Sequence, residues 1–155
     1  MQSYAKTLID NGTCKLVNYD DFIMSDYYKA YYSGLFIQVY NEFYEYLKST
    51  DSNKADKMSA LGIDTDVFEY RRAGASIGDV HMILMAFFME IPIILSEDSD
   101  LAMIYKIAVK HINNQHYQLL VYNVNDVIEY IKNSDNRTIS NVNVKTYAGL
   151  FKNAT

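Results

Sequence analysis

The hydrophobic pattern is clearest in the middle of the chain, where it predicts a buried helix followed by a short strand. Apolar residues recur three or four positions apart, as on one side of a helix, at Val80, Ile83, Leu84, Ala86, Phe87 and Met89. Ser76 is a candidate N-cap with Asp79 in the capping-box position, so the helix is predicted to begin near Ile77. Pro92, the only proline, prevents the helix from continuing. Ile91 to Leu95 is then a continuous apolar run, which is typical of a strand covered on both faces.

Similar patterns predict further elements on both sides of this pair. Helices are expected at 35–48, 55–61, 65–70, 101–110 and 126–131, and strands at 119–122 and 138–146. Strand and helix patterns alternate from about residue 74 to residue 132. This alternation favours an α/β fold, a three-layer sandwich with a mostly parallel central sheet. With 155 residues, the chain is expected to form a single domain over 1–155.

An acidic segment follows the predicted strand. Glu97, Asp98 and Asp100 lie at its carboxyl end, the edge at which open α/β sheets bind ligands. If the preceding helix runs antiparallel to the strand, Asp79 faces Asp98, and two facing carboxylates repel unless one is protonated or a cation lies between them. Oxygen ligands of this kind select Mg²⁺ or Mn²⁺. Each residue alone has a plainer explanation, Asp79 as a helix cap and the other three as a solvated loop.

These residues resemble a known family of nucleases. Gly78 to His81, the buried helix and Pro92 to Leu101 are similar to the second half of a PIN-domain nuclease. That family carries one acid at the start of this helix and a second acid just after the following strand. The nineteen positions between Asp79 and Asp98 suit that arrangement. The resemblance implies a PIN-like α/β sandwich and a metal-dependent nuclease.

The same resemblance directs attention to acids nearer the start of the chain. PIN domains open with a strand ending in an aspartate, and Leu8 to Asn11 is the nearest match, with Asp10 in that place. The residues after it depart from the family pattern, and Asp20 or Asp21 is the rival position. Glu42 corresponds to the family's second acid, although most glutamates on such a helix are simply exposed.

The resemblance also implies a complete set of site residues and partners. The catalytic acids would be Asp79, Asp98, Glu42 and Asp10, with Asp100 as a further ligand of Mg²⁺ or Mn²⁺. RNA is the implied substrate, an antitoxin-like protein the implied partner in a toxin–antitoxin pair, and a homodimer a possible assembly. Arg71 and Arg72, beside this acidic site, are candidates for holding phosphate, with a solvated basic helix end as the plainer explanation.

Composition narrows the choice of function. The net charge of −5 argues against broad electrostatic binding of nucleic acid, but clustered carboxylates supply part of it, so a nuclease is not excluded. One cysteine, Cys14, excludes an internal disulfide framework and fits a reducing, cytoplasmic compartment. No segment reaches the roughly eighteen apolar residues of a membrane span. The three histidines lack metal-ligand spacing, and His81 is expected to be a core residue or a partner of a ligand.

Two other functions remain open on the sequence. The fold could be retained without catalysis, as a PIN-like binding or scaffold module, which the poor match around Asp10 and the acidic net charge favour. The nuclease requires Asp10 or Asp20 to lie near Asp79 and Asp98 in space, whereas the scaffold module does not. A response-regulator-like or phosphatase-like domain would need an aspartate at the end of a first central strand and a partner lysine or threonine, and neither can be assigned.

Overall fold

The computed structural model describes residues 6–7, 9–15, 17, 23, 25–112 and 118–133. Contacts within the chain divide it into two compact units, Met1–Tyr32 and Ser33–Thr155. The predicted strand at 138–146 and the candidate acids Asp20 and Asp21 lie outside the described residues. A single domain over the whole chain stays a prediction.

The described residues form a mixed α/β structure that is mostly helical. In chain order the elements are α1 (Asp26–Thr50), α2 (Ser52–Ala55), α3 (Ile77–Phe88), β1 (Ile93–Leu95), α4 (Ser99–His111), β2 (Leu120–Tyr122) and α5 (Val124–Asn133). The two strands pair in parallel as a two-stranded sheet. The α/β class expected from the sequence is therefore present. No helix in the described part of the chain has both the length and the apolar character needed to cross a membrane.

Helix α1 supplies a large part of the core. Five residues are spaced as on one side of a helix; Leu35, Val39, Phe43 and Leu47 are buried as predicted, but Tyr46 is 37% exposed. The helix begins earlier than position 35, because the Ser25 hydroxyl accepts a hydrogen bond from the Tyr28 backbone N–H at the new start. It continues without a break to Thr50.

Helix α3 begins at Ile77 as predicted and packs against α4. Its apolar positions Val80, Ile83 and Leu84 have no exposed surface. Ser76 occupies the N-cap position but makes no side-chain cap bond, and its backbone is left-handed at φ 49°. After Phe88 the chain reverses through Glu90, also left-handed at φ 53°, and enters β1 just after Pro92. The chain therefore changes direction between α3 and β1 at Glu90, two residues before Pro92.

The prediction that the first strand is covered on both faces is wrong. In β1 only Ile94 is buried, whereas Ile93 is 47% exposed and Leu95 is 67% exposed. Successive side chains of a strand point to opposite faces, so only the face that carries Ile94 packs against the core. The register pairs Ile94 with Val121 and Leu95 with Tyr122.

Helix α5 begins at Val124, two residues before the predicted start, and it faces the sheet as its pattern predicts but covers the sheet incompletely. Val127, Ile128 and Ile131 line a groove of about 370 Å³ together with Leu95 and Tyr122 of the two strands. None of the residues of α5 is buried. The apolar side of α5 therefore remains half-exposed above the strand ends.

The helices predicted at 55–61 and 65–70 are wrong. Helix α2 instead ends at Ala55, and the chain then runs through turns to the start of α3. The Asn41 side chain of α1 forms two bonds with the backbone of Leu61, donating to its carbonyl at 3.0 Å and accepting from its N–H at 2.8 Å. The Asp66 carboxylate accepts from the Phe68 N–H at 3.0 Å. These hydrogen bonds pair backbone N–H and C=O groups with side chains. They therefore compete with the backbone hydrogen bonds that a helix would need.

Candidate functional site

Two carboxylates, Asp98 and Asp100, act on a third, Asp79, where α3 and α4 begin. Asp98 and Asp100 follow the carboxyl end of β1, and Asp79 lies in the first turn of α3. Burial raises the pKa of Asp79, and the negative charges of Asp98 and then of Asp100 raise that pKa further. The structure thus brings these three acids, which we call the acidic cluster, within electrostatic reach of one another.

Asp98 is held in place as the N-cap of α4. Its Oδ1 accepts a hydrogen bond from the Asp100 backbone N–H at 2.8 Å, and its own N–H donates to the Ser96 hydroxyl at 3.0 Å. Helix α4 consequently begins at Ser99, two residues before the predicted start. Asp98 is exposed in the loop before α4, as the solvated-loop explanation expects, and its carboxylate also satisfies a backbone donor of that helix.

Asp79 combines a helix-start position with partial burial. A hydrogen bond from the Ser76 side chain lowers the pKa of Asp79 and so opposes the larger effects of burial and of the Asp98 charge. The N-terminal end of α3 also favours negative charge through its dipole. Asp79 therefore lies within reach of the negative charge of Asp98. A proton on Asp79, or a cation between the two carboxylates, would relieve this repulsion.

A lysine from α2 enters the acidic cluster. The Lys54 ammonium lies 2.7 Å from Oδ2 of Asp100, whose side chain is only 15% exposed. The hydrogen bond to Asp100 raises the pKa of Lys54, as do the charges of Asp100, Asp98 and Asp51. The same ammonium lowers the pKa of Asp79. Sequence reasoning missed Lys54, because it lies in a polar stretch with no motif around it and 46 positions before Asp100.

Glu97, the remaining acid of the loop after β1, links that loop to the start of α5. Oε1 of Glu97 accepts a hydrogen bond from the Val124 backbone N–H at 2.7 Å. At the same helix start, the side chains of Asn123 and Asp126 each accept from the backbone N–H of the other, both at 2.9 Å. This reciprocal cap fixes α5 at the carboxyl edge of β2. Glu97 is exposed in the loop, as the solvated-loop explanation expects, and it is also an acceptor for the start of α5.

The structure does not bring Glu42 to the acidic cluster. Its carboxylate pairs with Lys110 and with His111, the latter at 2.8 Å, at the C-terminal end of α4. The side-chain hydrogen bond from Lys110 is the first cause of the lowered pKa of Glu42. Since α4 has thirteen residues and rises about 1.5 Å per residue, its two ends lie about 20 Å apart. Asp98 caps the opposite end, so Glu42 and Asp98 do not share one metal ion.

The other predicted site residues, Asp10, Arg71 and Arg72, contact residues outside the acidic cluster. Asp10 belongs to the first unit and pairs with Lys6 at 3.0 Å, with 60% of its side chain exposed. Arg71 donates to the Tyr70 carbonyl at 2.9 Å, and Arg72 donates to the Ser59 hydroxyl at 2.8 Å. Among the described residues, neither arginine forms an ion pair with the acidic cluster.

His81, two residues after Asp79, is the buried histidine that the pattern predicts. Only 5% of it is exposed, and its ring centroid lies 4.3 Å from that of Phe36. Its Nε2 donates to the Val67 carbonyl at 3.1 Å, which requires the proton to be on that nitrogen. Burial lowers the pKa of His81 to about 4, so the ring is neutral at pH 7. It attaches α3 to the turn around Val67 close to Asp79.

The described residues offer few ligands for a metal ion. Within residues 25–112 and 118–133 and the shorter described segments, no three His, Cys, Asp or Glu side chains are arranged to hold a metal ion. Asp100 is engaged by Lys54, which leaves Asp79 and Asp98 as the carboxylates for such an ion. One or two carboxylates with several retained waters is the usual protein contribution to an Mg²⁺ site. Any ion held by these two residues would have to keep most of its water.

Comparisons of the chain with protein-family models, with curated proteins and with solved structures found no match.

Proposed function

We propose that the protein is a metal-dependent nuclease that resembles PIN domains and cleaves RNA. The observation that carries the proposal is the effect of the Asp98 charge, just after β1, on the pKa of Asp79 at the start of α3. This is the order and the edge of a parallel strand pair at which ligand-binding acids are expected. A PIN-like three-layer sandwich with a mostly parallel central sheet is part of the same proposal.

In this mechanism Asp79 and Asp98 would hold Mg²⁺ or Mn²⁺ between them. The bound ion would lower the pKa of a water and stabilise negative charge on the scissile phosphate. Asp98 orients its carboxylate through the helix cap, and the burial of Asp79 strengthens its attraction for a cation. Arg71 and Arg72 would supply contacts to phosphate outside the cluster.

Several parts of the proposal rest on the resemblance alone. RNA as the substrate, an antitoxin-like partner, a homodimer and a cytoplasmic location belong to this group. Asp10 as a further acid also stays a prediction. Glu42 has no place in the proposed metal site, because it is paired at the far end of α4.

A specific observation favours the alternative of a catalytically inactive binding or scaffold module. Two acids that the resemblance assigns to the nuclease site, Glu42 and Asp100, are paired with cationic side chains of the same chain. A module that had lost its metal would need such internal pairing to neutralise the carboxylates that remain.

Calorimetric titration with Mn²⁺ tests the proposal. The intact protein is compared with Asp79→Asn and Asp98→Asn, and asparagine at position 98 retains the oxygen that caps α4. Asp66→Asn is the matched control, since Asp66 accepts hydrogen bonds in a turn that asparagine also supports. We expect the intact protein and the control to bind Mn²⁺ and both cluster variants to bind at least about tenfold more weakly, the equivalent of one lost charge-assisted contact.

Cleavage of a single-stranded RNA is then measured with Mn²⁺ and with a chelator. Cleavage that needs Mn²⁺ and is lost in both cluster variants supports the nuclease. Binding of Mn²⁺ without cleavage by the intact protein favours the scaffold module. An intact, folded protein that fails to bind Mn²⁺ contradicts the metal site and with it the proposed reaction.

A further inference from the structure

The outer edge of β1 carries backbone groups that no other strand pairs. The Pro92 carbonyl and the Ser96 N–H bond to β2, at 3.0 Å and 2.9 Å. Because a parallel ladder engages alternate residues of a strand, the N–H and C=O groups of Ile93 and Leu95 point away from β2. In the part of the chain that the structure describes, these groups have no hydrogen-bond partner, and both side chains are exposed. An open, apolar strand edge is a place where another extended chain can pair.

An apolar groove adjoins this edge, because Leu95 belongs to both. The groove has a volume of about 370 Å³, and Leu95 lines it together with Tyr122 of β2 and Val127, Ile128 and Ile131 of α5. Ligand sites in proteins commonly have volumes of about 300–1,000 Å³. Every second side chain of a strand points to the same face. An extended chain along β1 can therefore bond to the edge and direct alternate side chains into the groove.

The charges around the groove favour one kind of extended chain. Glu97 lines the groove, and Asp126 accepts a hydrogen bond from Asn123 of the same lining at 2.9 Å. Both acids are exposed, whereas the cation of α5, Lys132, lies in the last turn of that helix. The groove is therefore negative at the end where the strands stop. A second copy of this chain, with a net charge of −5, would bring further negative charge, but lysine or arginine would complement it.

We propose that the outer edge of β1 and the groove beside α5 bind an extended peptide segment of another protein, in which alternating apolar residues are flanked by lysine or arginine. The segment adds a strand beside β1 and places its apolar side chains against Leu95 and Ile128. The acidic cluster of Asp79, Asp98 and Asp100 does not line this groove. The inference therefore does not depend on the proposed nuclease.

Fluorescence anisotropy with a labelled synthetic peptide tests the proposal on the full chain. The probe has three valines that alternate with threonines, between two lysines at each end. A matched probe carries glutamates in place of the four lysines. We expect the lysine probe to bind, and the glutamate probe to bind about tenfold more weakly or not at all, because several exposed charge pairs become repulsive.

Two substitutions at Leu95 separate the backbone contribution from that of the side chain. Leu95→Pro removes the edge N–H but no bond to β2, and proline is tolerated in an edge strand. Leu95→Ser keeps that N–H and removes the apolar side chain. Each variant should bind the lysine probe at least about fivefold more weakly. Ile63→Ser, at an apolar position that is 89% exposed and does not line the groove, is the matched control and should leave the affinity unchanged.

Glu97→Gln tests the charge of the groove. Glutamine retains an oxygen that can accept from the Val124 N–H and removes the negative charge. We expect this variant to bind the lysine probe about twofold to threefold more weakly, which is the effect of one exposed ion pair. Equal affinity of the intact chain for the lysine and glutamate probes would overturn the assignment of a basic partner. Circular dichroism checks that every variant is folded, and Leu95→Ser decides if Leu95→Pro is not.

The remaining outcomes identify other occupants of the edge. Weaker binding at Leu95 with an unchanged Ile63→Ser supports the proposal, whereas equal binding in all variants, or no binding to the intact folded chain, overturns it. A dimer in analytical ultracentrifugation that Leu95→Ser converts to a monomer would assign the edge to a second copy. Binding that is gained only when Val142 and Val144 are both changed to lysine would assign it to residues 138–146 of the same chain. Either result overturns the separate partner.

Discussion

Protonation of His81 should destabilise the protein as the pH falls below neutrality. Burial is the first cause that lowers the pKa of His81 from 6.5 to about 4, with the nearby charge of Arg71 acting in the same direction. The unfolded chain takes up a proton near pH 6.5, but the folded chain does so only near pH 4. The stability associated with the neutral ring is therefore complete above about pH 6.5 and is lost as the pH falls towards 4.

The expected size follows from the two pKa values. Each pH unit between them costs about 1.4 kcal/mol, so the loss reaches about 2 kcal/mol at pH 5 and about 3 kcal/mol at pH 4. A loss of that size is a large part of the 5–15 kcal/mol of free energy that typically separates folded and unfolded domains.

Urea denaturation at pH 7.5, 6.0 and 5.0 measures this loss. His81→Gln removes the titrating ring and keeps an N–H that can donate to the Val67 carbonyl. We expect it to be less stable at pH 7.5, because the contact with Phe36 is reduced, but to lose about 2 kcal/mol less than the original chain between pH 7.5 and pH 5.

The matched control is His111→Gln, because that ring lies at the surface beside Glu42 and not in the core. This variant should lose as much free energy of unfolding between pH 7.5 and pH 5 as the original chain. A titration of the His81 ring by NMR with a midpoint near 6.5, or an equal loss in His81→Gln, would refute the reasoning from burial.

Two further predictions concern the starts of α5 and α3. Asn123→Ala should lower the free energy of unfolding by about 1 kcal/mol, because it removes the acceptor for the Asp126 N–H. The control Asn125→Ala, at an exposed position, should lower it less. Equal urea midpoints for the two variants would contradict the reciprocal cap. Asp79→Asn should stabilise the metal-free protein at pH 7. The folded-state pKa of Asp79 is raised, so its contribution is favourable at low pH and is lost as the pH rises through that pKa. A lower urea midpoint for Asp79→Asn in chelator at pH 7 would show that its ionised form is not disfavoured.

Local pattern was sufficient for the elements that carry the acidic cluster. Helix α3 and helix α4 follow from apolar residues three and four apart, and that periodicity acts within a single segment of chain. A helix that reverses into a strand brings its own start near the end of the strand. The approach of Asp79 to Asp98 could therefore be predicted without knowing any contact distant in sequence.

Distant contacts decided the parts that pattern could not predict. The segment 55–61 is not helical, because Asn41 bonds to the backbone of Leu61 from another element. Glu42 lies on a correctly predicted helix, yet its partners Lys110 and His111 are 68 and 69 positions away. No local preference of a glutamate specifies which cation it will meet.

The sequence by itself determined which segments are helical around the cluster and the order of Asp79 and Asp98. Only the tertiary structure decided the charge balance of the site, in which Lys54 is paired with Asp100. Periodicity and capping depend on neighbours within a few residues, whereas an ion pair depends on how whole elements pack. Packing in turn depends on all the buried surfaces together, so the cation beside the acids could not be predicted from the residues around it.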